Sequence, residues 1–345
     1  MYSLHDYQFD LPQELIAVKP LEERKRSRMM IVSRDPATFD DGQFYELPEI
    51  LRGGDVLVTN NTRVFPARLI GRSETGAVVE IFLIRDAGNS RWETLARPAR
   101  RLRPGKRIVF ASGFSASVIE RDPDDGRLIV EFETVGRLED AIDEYGRTPL
   151  PPYIKRDPEA IDRDRERYQT IYASERGAIA APTAGLHFTT EVLDELKTKG
   201  ITIVEITLHV GCGTFEPVRV DDLSKHSVMP ERYEINEMAA SILATAKDAG
   251  KRIIAVGTTT TRALETNISR FGRFSAETSA ADLTILPGHN FKAIDGLLTN
   301  FHLPKSSLLV LVSSFAGREL IMKAYKHAVE KRYRFYSYGD CMLIL

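Results

Sequence analysis

The chain has 345 residues, of which 43% are hydrophobic and 28% are charged, and its formal net charge is −2. This composition is typical of a globular protein with room for more than one domain, and the near-neutral charge predicts no overall attraction to nucleic acid. We find no apolar run long enough to span a membrane and no signal-peptide pattern. With only two cysteines, which we expect to be reduced thiols, the chain is expected to be cytoplasmic.

The first 63 residues contain two short apolar segments, at 29–32 and 55–60, that predict buried strands. The polar residues Asn60, Asn61 and Arg63 lie at the end of the second segment. Polar side chains at the end of a strand suit either ligand binding or a hinge between domains. The sequence leaves both interpretations open.

From residue 64 to residue 152 the pattern changes to six short alternating segments, separated by turn sequences such as RPGK and DPDDG. This spacing predicts a small antiparallel β-barrel. The run 97–107 carries six basic residues and no acidic one. Such a run is usually a solvated hairpin, whereas in a nucleic-acid enzyme it would contact phosphates.

After the proline-rich segment 149–154, strands and helices alternate, which predicts a sheet with helices on both faces. Apolar strands are predicted at 201–210, 251–257, 282–288 and 341–345. Two polar loops that contain glycine, 182–187 and 211–216, are separated by one predicted helix and one strand. A strand that ends in a glycine loop presents backbone N–H groups to a ligand, so we interpret these loops as the floor of an active site.

The loop 211–216 begins like the GxGxxG motif of dinucleotide-binding proteins, but that motif needs a small residue at its last position, where this chain has Glu216. The loop is therefore not an ordinary Rossmann motif. It is either a tight turn or a ligand loop lined by backbone. The loop 257–262 joins a predicted strand to a helix. Its four threonines exceed the single hydroxyl that an N-cap needs, which favours a carboxylate, phosphate or ribose ligand at this helix start.

Three histidines lie in apolar surroundings. His187 and His209 flank the glycine loops and are candidates for proton transfer, whereas His302 is interpreted as a core residue. No pair of residues has the spacing of metal ligands, so no metal site is expected. Cys212 lies between glycines and is expected to be a packing residue rather than a nucleophile.

Ten segments along nearly the whole chain carry a resemblance to one family: DYQFDLP, PLEERKRSRMM, GDVLVTNNTRVFPARL, LPPYI, YQTIYA, GAIAAPTAGLHFT, LHVGCGTFEPV, VGTTTTRALE, TNFHLPKSSLLVLVSSFAG and YRFYSYGDCMLI. They resemble the S-adenosylmethionine:tRNA ribosyltransferase-isomerases of queuosine biosynthesis. The resemblance implies an α/β fold: a three-layer α/β/α domain, formed by 1–63 and 153–345, with a closed six-stranded antiparallel β-barrel inserted at 64–152.

The resemblance also implies the reaction. The ribosyl moiety of the co-substrate S-adenosylmethionine is transferred and isomerised onto 7-aminomethyl-7-deazaguanine at the wobble position of a tRNA with a queuosine-type anticodon. Epoxyqueuosine in the tRNA, adenine and methionine are the products, and no metal is required. The sulfonium makes the C5′ hydrogens acidic, so a base is needed, and the leaving adenine needs a proton donor or strong hydrogen bonds. We expect a monomer that does not associate with membranes.

The residue roles within this reaction are our own predictions. The predicted catalytic residues are His187, His209, Glu216 and Asp340, with the carboxylates stabilising the cationic sulfonium. The predicted substrate-binding residues are Thr183, Gly185, Gly211, Gly213, Thr214, Thr258, Thr259, Thr260, Arg262, Asn60, Asn61 and Arg63. The predicted tRNA-binding residues are Arg97, Arg100, Arg101 and Arg103. In the segment 226–231, the chain departs from the family at Met229, where a histidine is frequent, so that position does not supply an obligatory base, whereas His226 and Glu231 of the family pattern remain.

Two other classes of function stay open from the residues. A methyltransferase would use the same S-adenosylmethionine and release S-adenosylhomocysteine, although the missing glycine fingerprint argues against it. A tRNA-binding barrel on a structural α/β body would not need the loops 211–214 and 258–261. The small-molecule products distinguish the three classes.

Overall fold

The structure is a computed structural model, and it describes residues 2–151, 153–154, 161–211, 213 and 218–345. The strands are β1 (Arg28–Arg34), β2 (Ala37–Gln43), β3 (Val56–Asn60), β4 (Thr62–Val64), β5 (Arg68–Ser73), β6 (Val78–Gly88), β7 (Arg91–Arg97), β8 (Arg107–Ala111), β9 (Phe114–Arg121), β10 (Leu128–Thr134), β11 (Glu175–Ala178), β12 (Thr202–Leu208), β13 (Glu231–Ile235), β14 (Ile253–Val256), β15 (Glu277–Ala281), β16 (Gly296–Asn300) and β17 (Cys341–Ile344). The helices are α1 (Leu47–Ile50), α2 (Leu138–Tyr145), α3 (Ile161–Arg167), α4 (Thr190–Thr198), α5 (Glu237–Asp248), α6 (Thr258–Phe271), α7 (Ser307–Ala316) and α8 (Arg318–Glu330).

Within the described chain, nine strands form one mixed sheet in the order β15-β13-β12-β3-β14-β16-β17-β1-β2. The neighbours β12, β3, β14 and β16 pair in parallel, whereas β13 and β17 pair antiparallel to them. Every residue of β3, β14 and β16 is buried. Such unbroken burial is expected for parallel strands that are covered on both faces.

The helices cover this sheet because each presents an apolar stripe to it. In α4, Val192 and Leu196 lie one turn apart and are buried, and the side chain of Thr189 caps the helix by accepting the Val192 N–H. Both residues join a core cluster with Phe44 and Phe188 and with apolar residues of β1, β3, β14, β16 and β17. Helix α6 packs against β3, β12, β14 and β16, and its residues 258–268 are all buried.

The strands β10-β7-β6-β5-β8-β9 close a barrel in this order, and every pair of neighbours is antiparallel. Alternate residues fill its interior, such as Val79, Ile81 and Leu83 of β6. An α/β fold with an inserted closed six-stranded antiparallel barrel, as the sequence predicts, is therefore confirmed.

The chain divides into two compact units. The first comprises Met1–Arg63, Gln169–Glu175 and Ala181–Leu345, and the second, which contains the barrel, comprises Val64–Tyr168 and Arg176–Ala180. The domain limits given from the sequence, 1–63 with 153–345 and 64–152, stay a prediction. No described helix has both the length and the apolar composition that crossing a lipid bilayer would require.

One predicted strand is wrong. Residues 282–288 do not form a strand, because the chain leaves the sheet after Ala281, the last residue of β15 and the partner of Glu231 in β13. Instead, the Thr284 hydroxyl accepts a hydrogen bond from the Val228 N–H at 3.1 Å. The apolar residues that suggested a strand line a cleft described below.

Candidate active site

The carboxyl ends of the parallel strands lie at one edge of the sheet and carry most of the predicted site residues. Strand β3 ends at Asn60, β12 at Leu208, β14 at Val256 and β16 at Asn300. Because β13 is antiparallel to β12, it begins at the same edge, with Glu231. Ligands of open α/β sheets bind beyond this edge.

Helix α6 begins at this edge without a side-chain cap. Its N-cap is Gly257, whose φ of 94° lies in a region that other residues rarely adopt. Thr260 and Thr261 donate their hydroxyl hydrogens back to the carbonyls of Val256 and Gly257, at 2.7 and 3.1 Å. The first-turn N–H groups have no acceptor within the helix, so the helix start can hold an anionic or polar group.

Two clefts adjoin the start of α6, and Thr258, Thr259 and Leu308 line both of them. The first, the Asn300 cleft, has an empty volume of about 500 Å³, and its walls include Thr183, Ala184, Val210, Asn300, His302 and Tyr336. The second, the His226 cleft, has an empty volume of about 520 Å³, and its walls include Gly213, His226, Met229, Arg262, Ile285 and Leu311. The loops 182–187, 211–216 and 257–262 thus all contribute to the surroundings of one helix start.

Arg262 and Glu231 form a buried ion pair that holds the glycine loop. The Arg262 Nη1 lies 2.7 Å from Glu231 Oε2, and the remaining guanidinium donors reach the carbonyls of Met229, Ala281 and Leu283. Glu231 Oε1 accepts the Gly211 N–H at 2.9 Å. Through these contacts Arg262 and Glu231 hold the backbone at Gly211 beside the His226 cleft. The predicted role of Arg262 and Gly211 in binding substrate stays a prediction.

His187 is buried between two polar side chains. Its Nδ1 lies 2.7 Å from Ser27 Oγ and its Nε2 lies 3.1 Å from Asn300 Oδ1. The Asn300 amide nitrogen donates to the carbonyls of Tyr336 and Ser337, so its oxygen faces the imidazole and Nε2 carries the proton. Burial lowers the pKa of His187 to about 4. The ring is therefore neutral at pH 7 and positions Asn300 in the first cleft.

His209 lies at the end of β12, away from the lining of both clefts. Its Nδ1 is 2.8 Å from the Thr62 hydroxyl, and its backbone N–H donates to the Arg232 carbonyl. Burial, followed by the nearby Arg232 charge, lowers the pKa of His209. A neutral imidazole fits the hydroxyl partner, and the proton-transfer role of His209 stays a prediction.

Asn60 and Asn61 connect the ends of β3 and β12. The buried Asn60 amide bonds both the N–H and the carbonyl of Leu208, each at 2.9 Å, and its oxygen also accepts the Thr62 N–H. The Asn61 oxygen accepts the Thr207 hydroxyl at 2.7 Å, and Arg63 is exposed. Asn60 thereby satisfies buried backbone groups that would otherwise be unpaired.

Asp340 is almost fully buried, and both of its carboxylate oxygens have partners. Oδ1 accepts the Arg28 N–H at 3.0 Å, while Oδ2 accepts the Arg334 N–H at 2.8 Å and pairs with the Arg28 guanidinium at 3.2 Å. Arg28 also stacks over the Tyr333 ring at 4.1 Å. The carboxylate fixes the turn before β17 and is not among the residues that line either cleft.

Two glycines of the predicted site permit close approaches. A Cβ at Gly185 would lie 2.2 Å from the Tyr172 hydroxyl oxygen, and a Cβ at Gly213 would lie 2.8 Å from Met229 Cβ. Met229 thus packs directly on the glycine loop, which gives a packing reason for an apolar side chain at this position. Glu216, Thr214 and Cys212 lie outside the described residues.

Residues that the sequence did not single out also line the clefts. Asn300 and Tyr336 line the Asn300 cleft, and Ile285 lines the His226 cleft. His226 lines the second cleft as well, and its Nε2 is buried without a hydrogen-bond partner among the described residues. The sequence noted His226 only as the first residue of the family-like segment 226–231 and gave it no role, so its place in this cleft became visible only in the folded chain.

Of the predicted tRNA-binding arginines, Arg97 ends β7, Arg100 and Arg101 lie in the short 3-10 helix Ala99–Arg101 that follows, and Arg103 lies two residues beyond that helix. Arg97, Arg100, Arg101 and Arg103 are all exposed. Their neighbours Lys106 and Arg107 are ion-paired with Glu74 and Glu133. In the part of the chain that the structure describes, no ion pair involves the four predicted arginines, so their charge is available to a polyanion.

A search for metal sites covered the described residues only. It found no group of three or more histidine, cysteine, aspartate or glutamate side chains placed to hold a metal ion.

A parallel-sheet edge that surrounds an open helix start with two partly apolar clefts defines an α/β protein that binds a small polar molecule. The family described as queuosine biosynthesis protein matches residues 4–344. The chain belongs to this family.

Two curated relatives and one solved structure support the same assignment. Proteins named S-adenosylmethionine:tRNA ribosyltransferase-isomerase from Syntrophotalea carbinolica and Symbiobacterium thermophilum are each 48% identical to this chain, over 99% of both sequences. The crystal structure of S-adenosylmethionine tRNA ribosyltransferase from Thermotoga maritima is 35% identical, with a TM-score of 0.56, and the match covers 99% of this chain and 100% of that one.

The burial of His187 predicts a pH-dependent stability. Its folded pKa of about 4 lies below the ordinary value of 6.5, so between these values the unfolded chain binds a proton that the folded chain does not. This contribution is fully present above about pH 6.5 and is lost as the pH falls toward about 4, by about 1.4 kcal/mol per pH unit. We expect His187→Gln to reduce the pH slope of the unfolding free energy by that amount, measured by urea titration.

The exposed His5 provides the matched control, because it lies 68% exposed beside Asp221. His5→Gln should leave the slope unchanged. Equal slopes in wild type and His187→Gln would contradict a buried neutral imidazole at residue 187.

Proposed function

We propose that this protein transfers and isomerises the ribosyl moiety of S-adenosylmethionine onto 7-aminomethyl-7-deazaguanine at the wobble position of tRNA. Epoxyqueuosine in the tRNA, adenine and methionine are the products. The names of the relatives and the family membership support this reaction. The structural observation that carries it is the start of α6, which has no side-chain cap and borders two clefts at the carboxyl edge of the sheet.

The start of α6 is the proposed holding point for S-adenosylmethionine. The first-turn N–H groups and the Thr258 and Thr259 side chains suit the methionine carboxylate or a ribose hydroxyl. Both threonines border both clefts, so a ligand held there has room to extend in two directions. The nucleoside and the amino acid are the two ends of S-adenosylmethionine, and this arrangement accommodates a molecule of that shape.

The reaction needs a base for a C5′ hydrogen and stabilisation for the sulfonium cation. For the sulfonium we propose Glu216, since Gly213 of the same loop lines the His226 cleft. Between the two predicted histidines we propose His209 for proton transfer, because among the described residues only one of its ring nitrogens has a hydrogen-bond partner, whereas both nitrogens of His187 do, although His209 lines neither cleft. A positioned base of this kind contributes about 10²–10⁴ in rate.

The tRNA is the proposed macromolecular substrate, with a queuosine-type anticodon as the finer proposal. The exposed arginines Arg97, Arg100, Arg101 and Arg103 would contact its phosphates. No metal takes part in the proposed mechanism. That the protein acts as a monomer in the cytoplasm stays a prediction.

The products of the reaction test the function directly. Incubation of the chain with S-adenosylmethionine and tRNA that carries 7-aminomethyl-7-deazaguanine should release adenine and methionine in equal amounts, measured by liquid chromatography. Release of S-adenosylhomocysteine would indicate a methyltransferase. Binding of tRNA without any small-molecule product would indicate a non-catalytic binding protein.

Three substitutions in the first turn of α6 test this site: two at threonines that border the clefts, and a control at a threonine that does not. Thr258→Val and Thr259→Val remove hydroxyls that border the clefts, whereas Thr260→Val removes a hydroxyl that bonds the Val256 carbonyl inside the helix. A hydrogen bond to a charged group contributes about 1.5–3 kcal/mol. We therefore expect one or both of the first two variants to weaken S-adenosylmethionine binding roughly 10- to 100-fold, measured by calorimetry. Equal affinities in all three variants would remove the threonines from the site.

The basic run 97–107, which connects β7 to β8, predicts a salt-dependent effect on tRNA binding. Neutralising Arg100 and Arg101 together should lower the slope of log Kd against log salt by roughly one for each lost phosphate contact. The affinity for S-adenosylmethionine should not change. The control is Lys106→Gln, because Lys106 is already paired with Glu74 at 3.1 Å and should affect the slope less. An unchanged slope in the double variant would make the run a solvated connection without a role in tRNA binding.

A further inference from the structure

The imidazole of His226 lines the His226 cleft with a ring nitrogen, Nε2, that has no hydrogen-bond partner among the described residues. Its backbone is fixed, since its N–H donates to the Leu223 carbonyl at 3.0 Å and closes a short 3-10 turn that the Asp222 side chain caps. Its Nε2 is buried. A buried polar atom without a hydrogen-bond partner is unfavourable, so a ligand that bonds it in the cleft would be stabilised there.

Two other polar side chains around this cleft are already paired with the protein. The Thr284 hydroxyl accepts the Val228 N–H, and the Arg262 guanidinium donates to Glu231 and to three backbone carbonyls. Ile285 and Leu311 contribute apolar surface to the same cleft. A ligand here therefore meets apolar walls and the imidazole nitrogen, with Thr258 and Thr259 at the border that this cleft shares with the helix start.

Burial lowers the pKa of His226. The imidazole is thus neutral at pH 7, with one nitrogen that donates and one that accepts. A neutral donor in apolar surroundings suits an uncharged heteroaromatic ring rather than a carboxylate or an ammonium group.

We propose that His226 recognises the adenine base of S-adenosylmethionine through a hydrogen bond that its Nε2 donates to a ring nitrogen of the base or, in the other tautomer, accepts from the amino group of the base. The inference rests on the proposed function for the identity of the ligand. Adenine has apolar faces for the cleft walls and polar edge atoms for the imidazole. The methionine end would then lie toward Thr258 and Thr259, which border both clefts. The proposal concerns binding and specificity and includes no covalent step.

The test measures the two ends of the substrate separately, with adenosine and methionine as probes in calorimetric titrations of the full chain. We expect His226→Ala to raise the Kd for adenosine about tenfold and to leave the Kd for methionine unchanged. His226→Gln, which restores an amide donor and acceptor, should recover most of the adenosine affinity. The matched control is His5→Ala, which removes an exposed histidine and should change neither Kd.

Thermal unfolding separates a ligand-binding role from a structural one. Because Nε2 has no partner in the described protein, His226→Ala should unfold at the temperature of the wild type or above it, whereas a structural histidine would lower it. An unchanged adenosine affinity in His226→Ala, or a loss that affects methionine instead, would overturn the inference. If the wild type binds adenosine through His226 but forms no adenine and methionine with tRNA, the proposed reaction fails while the adenine site stands.

Discussion

The buried pair of Arg262 and Glu231 connects the segments that meet at the active-site edge. Through it, α6, β13, the end of β15 and the glycine loop at Gly211 share one network of hydrogen bonds. Removing either partner would leave an uncompensated charge in the interior, which typically costs about 3–5 kcal/mol. Since the arginine lies one turn beyond Thr258, this network also fixes the orientation of the helix start on which both clefts depend.

At the same edge, two polar side chains that were predicted for the site also support the backbone. Asp340 accepts the N–H groups of Arg28 and Arg334, and Asn60 satisfies both backbone groups of Leu208. Parallel strands end here in irregular loops, so buried N–H and carbonyl groups need side-chain partners. A carboxylate or amide at this edge is therefore as consistent with support of the loops as with contact to a ligand.

The sequence predicted the barrel well, because its strands alternate with turn residues at short, regular intervals. It predicted the α/β alternation for a similar reason, from helical patterns such as those of α5 and α6 on either side of the buried strand β14. It missed β2, whose residues are largely exposed, and β15, whose small polar residues lack an apolar pattern. It also misplaced a strand at 282–288, since the apolar residues there line a cleft. A local pattern cannot distinguish a residue that faces a sheet from one that faces a pocket.

The parts of the candidate site that are formed by backbone could be predicted from the sequence. The parts that depend on single side chains could not. Four threonines after a glycine marked the start of α6, but only the fold separates Thr258 and Thr259, which border the clefts, from Thr260 and Thr261, which bond backward along the helix. His226 was noted only as part of the family-like segment 226–231, with no role assigned to it. Its significance depends on a ring nitrogen left without a partner by tertiary packing, and no spacing in the sequence encodes that.

The burial of α6 has a consequence for how a bound ligand could be detected. From Thr261 onward its amides are hydrogen-bonded within the helix, and residues 258–268 are buried, so these amides should exchange with solvent only when the sheet itself opens. The first-turn amides lack such acceptors and border solvent-filled clefts. A molecule seated on the helix start would therefore slow the exchange of a few consecutive amide protons at Thr258 and its neighbours, and would leave the rest of the helix at its already slow rate.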